Sequence, residues 1–419
     1  MRRPAFGDHV KAVHPAARVV SISGKDRAAV AMGGHDADLA LWWDRISGGF
    51  MSSSWYAQRL PEWVAGFNGT WSERYRSAEE WAALPVDLAG SGTDADDRKG
   101  ETPYQGRRTL PYRLPPLAHA PEPPEIAAAA AAVYGSPLSD SFVVELACEA
   151  VVRLELGAGE VPDVLLLSLS ACDTVGHSFG PASREVTDVL LRADLELGRL
   201  FDLLDQRLGS DGWVAALSAD HGVLALPEAL AARGVGAVRV GPQRVNATLG
   251  AMRDRLKSEY GADFVLAADG SRVRFSEREI RARGWEPAEV RRSAARALMA
   301  GGADWLEAVW TSDELRASGA DDPPTGWKAL WVRGFDAERT ADLILQARPW
   351  YLVSRSSTGT SHGSPYAYDR RVPLAFLGRA FAPRSSFEPV SPTDAVPTLL
   401  RVLGLPVPEG LDGRSLLSE

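Results

Sequence analysis

Three short apolar runs constrain this sequence most, because each ends in polar residues that can carry chemistry. They cover residues 18–23, 164–169 and 213–218. Apolar runs of this length indicate strands that are buried on both faces, as in parallel sheets. A fourth candidate strand covers residues 372–377 and follows a loop rich in glycine, serine and threonine.

Helical patterns occupy the sequence between and after these runs. Residues 181–200 carry apolar side chains at helical spacing, and Pro181 suits a first helical turn. Residues 394–404 predict a short helix that Gly404 ends. Strands that alternate with helices predict an α/β fold, a three-layer sandwich with a mostly parallel central sheet.

We expect one domain over residues 1–419 that carries two insertions. Residues 80–135 are rich in Pro, Gly, Asp and Ala and predict long loops over the core. Residues 250–350 are rich in Arg, Glu and Trp, with helical runs, and predict a helical insertion or cap. Such a cap could shape the access of a substrate to the sheet.

Charge and cysteine content exclude several classes of protein. The net charge of -9 argues against a surface that binds nucleic acid. No run approaches the roughly 20 apolar residues of a membrane span, and the first residues lack the apolar core of a signal peptide. Cys148 and Cys172 could pair or stay free. Without a cysteine-rich pattern, any metal must be held by histidine and carboxylate side chains.

Histidine and aspartate follow the predicted strands where ligands bind in parallel sheets, at the carboxyl ends. Asp173 and His177 follow the second run, Asp220 and His221 follow the third, and His362 lies in the loop before the fourth. Each piece alone is weak, since an isolated Asp-x-x-x-His is more often a surface pair. Their common position at strand ends predicts a site for two metals, with zinc favoured over manganese or iron.

A basic pair, Lys25 and Arg27, follows the first run. Alternation in an extended segment would point both side chains to the same side. One interpretation is a solvated strand end. The other is a clamp on phosphate oxygens, and the greater charge of a phosphate monoester would then favour a monoester over a diester.

Several segments resemble a known family when they are taken together with Lys25-x-Arg27. These segments are residues 21–30, Gly34-His35, Trp43-Asp44, residues 60–63 and the tail 393–416. They are similar to the PafA-type alkaline phosphatases of the alkaline phosphatase superfamily. The order of the five predicted metal ligands also matches that family.

The resemblance implies an alkaline-phosphatase-like fold and two zinc ions in a complete site. By position, Asp173, His177 and His362 resemble the ligands of one zinc. Asp220 and His221 resemble part of the shell of the second. One zinc would activate the nucleophile, and the other would stabilise the leaving oxygen.

The resemblance also implies the substrate and the location. Lys25 and Arg27 resemble the pair that contacts the phosphoryl oxygens, and the reaction implied is the hydrolysis of small-molecule phosphate monoesters. A periplasmic or secreted location follows from the family, although the chain as given has no signal peptide.

One departure from the family concerns the nucleophile. Family members carry a metal-binding Asp, a nucleophilic Thr and an Asn upstream of the Lys-x-Arg motif. The residues that precede Lys25 include no threonine. We therefore expect the nucleophile-bearing segment to be missing and the chain as given to have little or no phosphatase activity.

Two alternatives remain open. The first is a phosphodiesterase or nucleotide pyrophosphatase of the same superfamily, against which Lys25 and Arg27 argue. The second is a catalytically silent protein that binds metal or phosphate, which the missing nucleophile supports.

Overall fold

The computed structural model describes residues 2–318 and 326–417. The strands are β1 Val19–Ser23, β2 Leu39–Trp43, β3 Phe50–Met51, β4 Glu80–Trp81, β5 Tyr112–Arg113, β6 Val164–Ser168, β7 Ala215–Ser218, β8 Val238–Val240, β9 Val265–Ala268, β10 Arg272–Phe275, β11 Leu306–Thr311, β12 Leu343–Ala347, β13 Tyr351–Val353 and β14 Leu374–Leu377. The helices are α1 Phe6–Val13, α2 Asp26–Gly33, α3 Glu62–Ala78, α4 Pro123–Tyr134, α5 Leu138–Arg153, α6 Ala171–Phe179, α7 Arg184–Leu208, α8 Pro227–Ala232, α9 Pro242–Tyr260, α10 Glu277–Ala282, α11 Pro287–Gly301, α12 Ser312–Ala317, α13 Gly326–Arg333, α14 Ala367–Arg370 and α15 Ala395–Val402.

The central sheet has the order β3-β2-β1-β6. Strand β1 is parallel to both β2 and β6, whereas β3 is antiparallel to β2. The first two apolar runs are therefore neighbouring parallel strands, as predicted, and β1 is buried throughout, whereas only Val164 of β6 is buried. Their carboxyl ends lie at the same edge of the sheet, which places the residues after β1 beside those after β6.

Successive side chains of a strand point to opposite faces of the sheet, and a layer of helices covers each face. Val20 and Ile22 point into a large core with residues of α3, α4 and α5. Val19 points to the opposite face, where it packs with Val10 of α1 and Leu400 of α15. The predicted fold class, a mostly parallel sheet between two layers of helices, is confirmed.

The third and fourth predicted strands form a separate pair. Among the described strands, β7 pairs only with β14, and this pairing is antiparallel. Leu217 of β7 is 41% exposed, whereas every residue of β1 is buried. The prediction of a buried parallel strand at residues 213–218 is therefore wrong, because among the described strands β7 has a neighbour on one side only and that neighbour is antiparallel.

The segment between β8 and β13 has a core of its own. Four antiparallel strands in the order β11-β12-β10-β9 pack with α9 and α11 around this second core. The predicted insertion at 250–350 thus contains strands as well as helices, and its residues 319–325 lie outside the described part. The earlier segment, 80–135, contains only β4, β5 and α4. The role of both as insertions stays a prediction.

Two helix predictions can be compared with the structure. Helix α7 begins at Arg184, where the Ser183 hydroxyl accepts a hydrogen bond from the Val186 amide, so Pro181 precedes the helix and our predicted start is too early. Helix α15 confirms the C-terminal prediction. Cys148 and Cys172 are both free. Within the described ranges, no helix combines the length and apolarity needed to cross a membrane.

Candidate metal centre

Helix α6 positions the first two candidate ligands. It starts three residues after β6 ends, and Asp173 and His177 lie four residues apart on one face of it. Nε2 of His177 is 3.3 Å from Oδ1 of Asp173. The buried Asp140 side chain of α5 accepts a hydrogen bond from the Ala171 amide at 3.0 Å, which caps the beginning of α6.

His362 completes a group of three. Its Nε2 lies 3.7 Å from Oδ1 of Asp173. One ligand atom from each of Asp173, His177 and His362 lies within 4.8 Å of the other two. All three side chains are half-buried. A carboxylate oxygen and two imidazole nitrogens at this spacing are a donor set that suits zinc.

Backbone carbonyls leave the Nε2 atoms of the imidazole rings available. Nδ1 of His177 is 2.8 Å from the carbonyl oxygen of Thr360, and Nδ1 of His221 is 3.0 Å from that of Gly222. A proton on Nδ1 that donates to the carbonyl leaves the Nε2 lone pair free, as in histidines that bind metal. Burial, followed by the neighbouring His221, lowers the pKa of His362, so this ring also favours its neutral form.

Asp220 and His221 lie beside the triad but are not part of it. Nε2 of His221 is 3.9 Å from Oδ1 of Asp173 and 3.3 Å from Oδ2 of Asp220. The rings of His221 and His362 stack with their centroids 3.4 Å apart. The side chain of Asp220 is 80% exposed, so this pair offers two further ligand atoms at the open side of the triad.

The basic pair separates in the structure. Lys25 forms an ion pair with Oδ2 of Asp173, and only 17% of its side chain is exposed. Burial alone would raise the pKa of Asp173, but the Lys25 ammonium lowers it below its ordinary value. Arg27 lies in the first turn of α2 with 83% of its side chain exposed. The predicted alternation does not apply, because the extended segment ends at Lys25 and the helix begins at Asp26.

The hydroxyls of Thr174 and Thr360 and the thiol of Cys172, all next to the triad, are not poised to attack a phosphoryl group. The Thr174 hydroxyl donates to the Ser170 carbonyl at 3.0 Å, and the Thr360 hydroxyl donates to the Leu224 carbonyl at 2.6 Å. Burial raises the pKa of the Cys172 thiol to about 11, so the thiol stays protonated near neutral pH.

Asp140 and Thr360 contribute to the site but were missed by sequence reasoning. Asp140 is 3% exposed, and burial raises its pKa to about 7 although backbone donors and Lys25 oppose this. Thr360 orients His177 through its carbonyl oxygen. Both act on residues that are distant along the chain, so neither has a local sequence signal.

Comparison with known proteins shows the family of the chain. The sequence profile of the Type I phosphodiesterase / nucleotide pyrophosphatase family matches residues 26–367. The chain is 28% identical to alkaline phosphatase PafA of Elizabethkingia meningoseptica over 413 residues, which cover 95% of this chain and 71% of that protein. It is 30% identical to alkaline phosphatase PhoK of a Sphingomonas species, over 99% of this chain and 72% of that protein.

A solved structure shows the same fold. The crystal structure of wild-type alkaline phosphatase PafA superposes with a TM-score of 0.86 at 26% sequence identity, over 99% of this chain and 77% of that one. The fold and the site thus define a hydrolase of the alkaline phosphatase superfamily. The chain belongs to the Type I phosphodiesterase / nucleotide pyrophosphatase family and, within the superfamily, is PafA-like.

Proposed function

We propose that this chain binds zinc through Asp173, His177 and His362 and that its site serves the hydrolysis of phosphate monoesters. The observation that carries the proposal is the convergence of three suitable ligand atoms within 4.8 Å, beside the half-buried Lys25 ammonium. Asp220 and His221 are proposed as ligands of a neighbouring, partial second site. The similarity to proteins named alkaline phosphatases supports the same conclusion.

The donor set fits zinc in its charge as well as its chemistry. Asp173 is the carboxylate of the triad, its pKa is lowered, and it therefore enters the site as an anion. The two imidazoles can bind as neutral ligands because Thr360 holds the His177 tautomer and burial lowers the pKa of His362. Bound zinc would supply positive charge that stabilises negative charge on a phosphoryl group.

Lys25 is the chain's own contribution to binding the phosphoryl group. Its ammonium lies at the triad already, balanced by Asp173. A bound metal would draw on the same carboxylate, which would leave Lys25 free to contact a phosphoryl oxygen. Arg27 could add a second cation only after its exposed side chain turns towards the site. Two cations favour the more highly charged monoester, as the sequence indicated.

A phosphodiesterase or nucleotide pyrophosphatase is the second candidate, because the family profile carries that description. The relative rates of hydrolysis of an aryl phosphate monoester and an aryl phosphodiester, measured with zinc present, distinguish the two candidates. A faster reaction with the diester would contradict the proposed specificity. A third candidate, a silent binding protein, is supported by the engaged hydroxyls of Thr174 and Thr360, and phosphate binding without turnover would identify it.

Metal binding itself is tested without turnover. Isothermal titration of the metal-free protein with zinc, together with metal analysis, should show tight binding that His362→Ala weakens by more than about 100-fold, since a direct ligand is lost. His119→Ala removes an exposed histidine outside the site and is the matched control. Unchanged zinc binding in His362→Ala would refute the assignment of the triad.

A periplasmic or secreted location is part of the proposal and rests on the family resemblance alone.

A further inference from the structure

We infer that Arg239 is a positioning residue for the candidate metal centre, acting on His362 through the loop that precedes it. This inference rests on the proposed function, since it concerns the same triad. Arg239 belongs to β8, which lies outside the central sheet and pairs with β13. Only 11% of its side chain is exposed. It therefore links the segment between β8 and β13 to the ligands of the centre.

The Arg239 guanidinium makes two sets of contacts. It donates to both carboxylate oxygens of Glu228, from Nε at 2.7 Å and from Nη2 at 2.8 Å. The same Nη2 donates to the carbonyl of Gly359 at 2.8 Å, and Nη1 lies 3.4 Å from the carbonyl of Thr358. A planar guanidinium can hold a carboxylate on one side and a backbone segment on the other, which an ammonium cannot do.

Glu228 is the fixed partner of this arrangement. It lies in the first turn of α8, seven residues after His221, with 19% of its side chain exposed. Burial alone would raise the pKa of Glu228, but the hydrogen bonds from Arg239 lower it, so the carboxylate stays charged at neutral and alkaline pH. The pair thus connects the helix that follows His221 with the loop that leads to His362.

The loop held by Arg239 has little freedom on its other side. Gly359 has a φ of +74°, and a Cβ atom there would lie 2.5 Å from the carbonyl oxygen of His177. Thr360 donates its amide to that same carbonyl at 2.8 Å and accepts from Nδ1 of His177 at 2.8 Å. The loop is therefore fixed between Arg239 and the end of α6.

Loss of Arg239 should release one side of this loop three or four residues before His362. His362 would then sample positions away from Asp173 and His177, and a metal would have to order the loop when it binds. Residues that orient ligands in this way typically change metal affinity by about 10–100-fold. The effect should act through His362, because Thr360, which orients His177, keeps its own bonds to the His177 and Leu224 carbonyls.

The experiment measures zinc dissociation constants by titration and the visible spectrum of the cobalt-substituted protein. Arg239→Met should weaken zinc binding by about 10–100-fold and change the cobalt spectrum, whereas Arg239→Lys should recover only part of the affinity. Arg348→Met is the matched control, because Arg348 also donates to backbone carbonyls, those of Ala303 and Leu306, but does not contact the site. It should leave zinc binding unchanged.

A thermodynamic cycle separates positioning from general stabilisation. If Arg239 acts through His362, adding Arg239→Met to His362→Ala should not weaken zinc binding further. Two results would overturn the inference and leave the triad intact. One is equal zinc affinity of Arg239→Met and the wild-type protein. The other is a full additional loss of zinc affinity in the double variant compared with His362→Ala. If His362→Ala binds zinc as tightly as the wild-type protein, this result would instead refute the triad, and the inference with it. Arg239→Lys supplies the comparison if Arg239→Met does not fold.

Discussion

Replacement of Asp140 by asparagine should make the protein more stable at alkaline pH. Asp140 is 3% exposed, and one of its carboxylate oxygens has no hydrogen-bond partner. The other oxygen accepts from the Ala171 amide at the beginning of α6. An asparagine keeps this acceptor and removes the buried charge, so the cap of α6 is retained.

The size of the effect follows from the pKa of Asp140. Burial raises it to about 7 from an ordinary value of 3.8. The folded chain therefore binds a proton more tightly than the unfolded chain, and stability is lost as pH rises from about 4 to about 7. Above pH 7 the loss is about 4 kcal/mol, from 1.36 kcal/mol per pKa unit. An unpaired amide group in the variant would cost about 1–3 kcal/mol, so the net gain should be about 1–3 kcal/mol.

Urea unfolding of the metal-free proteins at several pH values measures this difference. Between pH 5 and pH 8.5, wild-type protein should lose about 3 kcal/mol relative to Asp140→Asn, because only the wild type carries the titrating group. If the difference in unfolding free energy between the two proteins does not change with pH, the ionisation of Asp140 does not destabilise the folded chain. An Asp140→Asn protein that is much less stable than the wild type at pH 8.5 would show that the charge of Asp140 itself stabilises α6.

Asp188 is the matched control, because it is also 3% exposed but fully partnered. Its two carboxylate oxygens accept from the Trp81 indole, the Leu84 amide and the Arg192 guanidinium, each at 2.7 Å. Asp188→Asn weakens these charged hydrogen bonds and should cost roughly 2–3 kcal/mol. The same substitution should thus have opposite signs at two equally buried aspartates.

The remaining predictions concern the basic side chains. Lys25→Ala and Arg27→Ala should each lower the turnover of an aryl phosphate monoester, in a form of the protein that shows turnover, by roughly 10²-fold. The turnover of a diester should fall less, and equal losses on both substrates would indicate a general structural role. Arg291→Met should cost about 3–5 kcal/mol in urea unfolding, because three carboxylates between 2.7 and 2.8 Å of Arg291 lose their common cation. A cost below about 1 kcal/mol would show that this ion cluster does not stabilise the second core.

The central strands could be predicted from the sequence, whereas the third could not. Residues 18–23 and 164–169 form neighbouring parallel strands, and β1 is buried along its whole length between two covering layers, whereas only Val164 of β6 is buried. The run at 213–218 has the same local composition, yet Leu217 is 41% exposed. Composition shows what a strand could bury, but burial depends on neighbours in space that the run itself does not specify.

The basic pair shows a similar limit. The Lys25-x-Arg27 spacing predicts two side chains on one side of a strand, but Lys25 lies before α2 and Arg27 inside it. A change of backbone conformation between two residues reverses the expected direction of one side chain. From the sequence, Lys25 could be placed only at the carboxyl end of a strand that lies beside the end of β6. Its contact with Asp173 could not be predicted.

Predicting the candidate ligands requires local sequence, whereas predicting the residues that hold them requires the packed structure. Asp173 and Asp220 each follow an apolar run, so local sequence places them at strand ends. Asp140 and Arg239 act on partners 31 and 120 residues away. Their effects also depend on partners in space, since Asp140 and Asp188 are equally buried but one oxygen of Asp140 has no partner, whereas Asp188 accepts from Arg192. Sequence therefore predicts where metal-binding groups gather, and only the packed structure shows which buried charges fix them there.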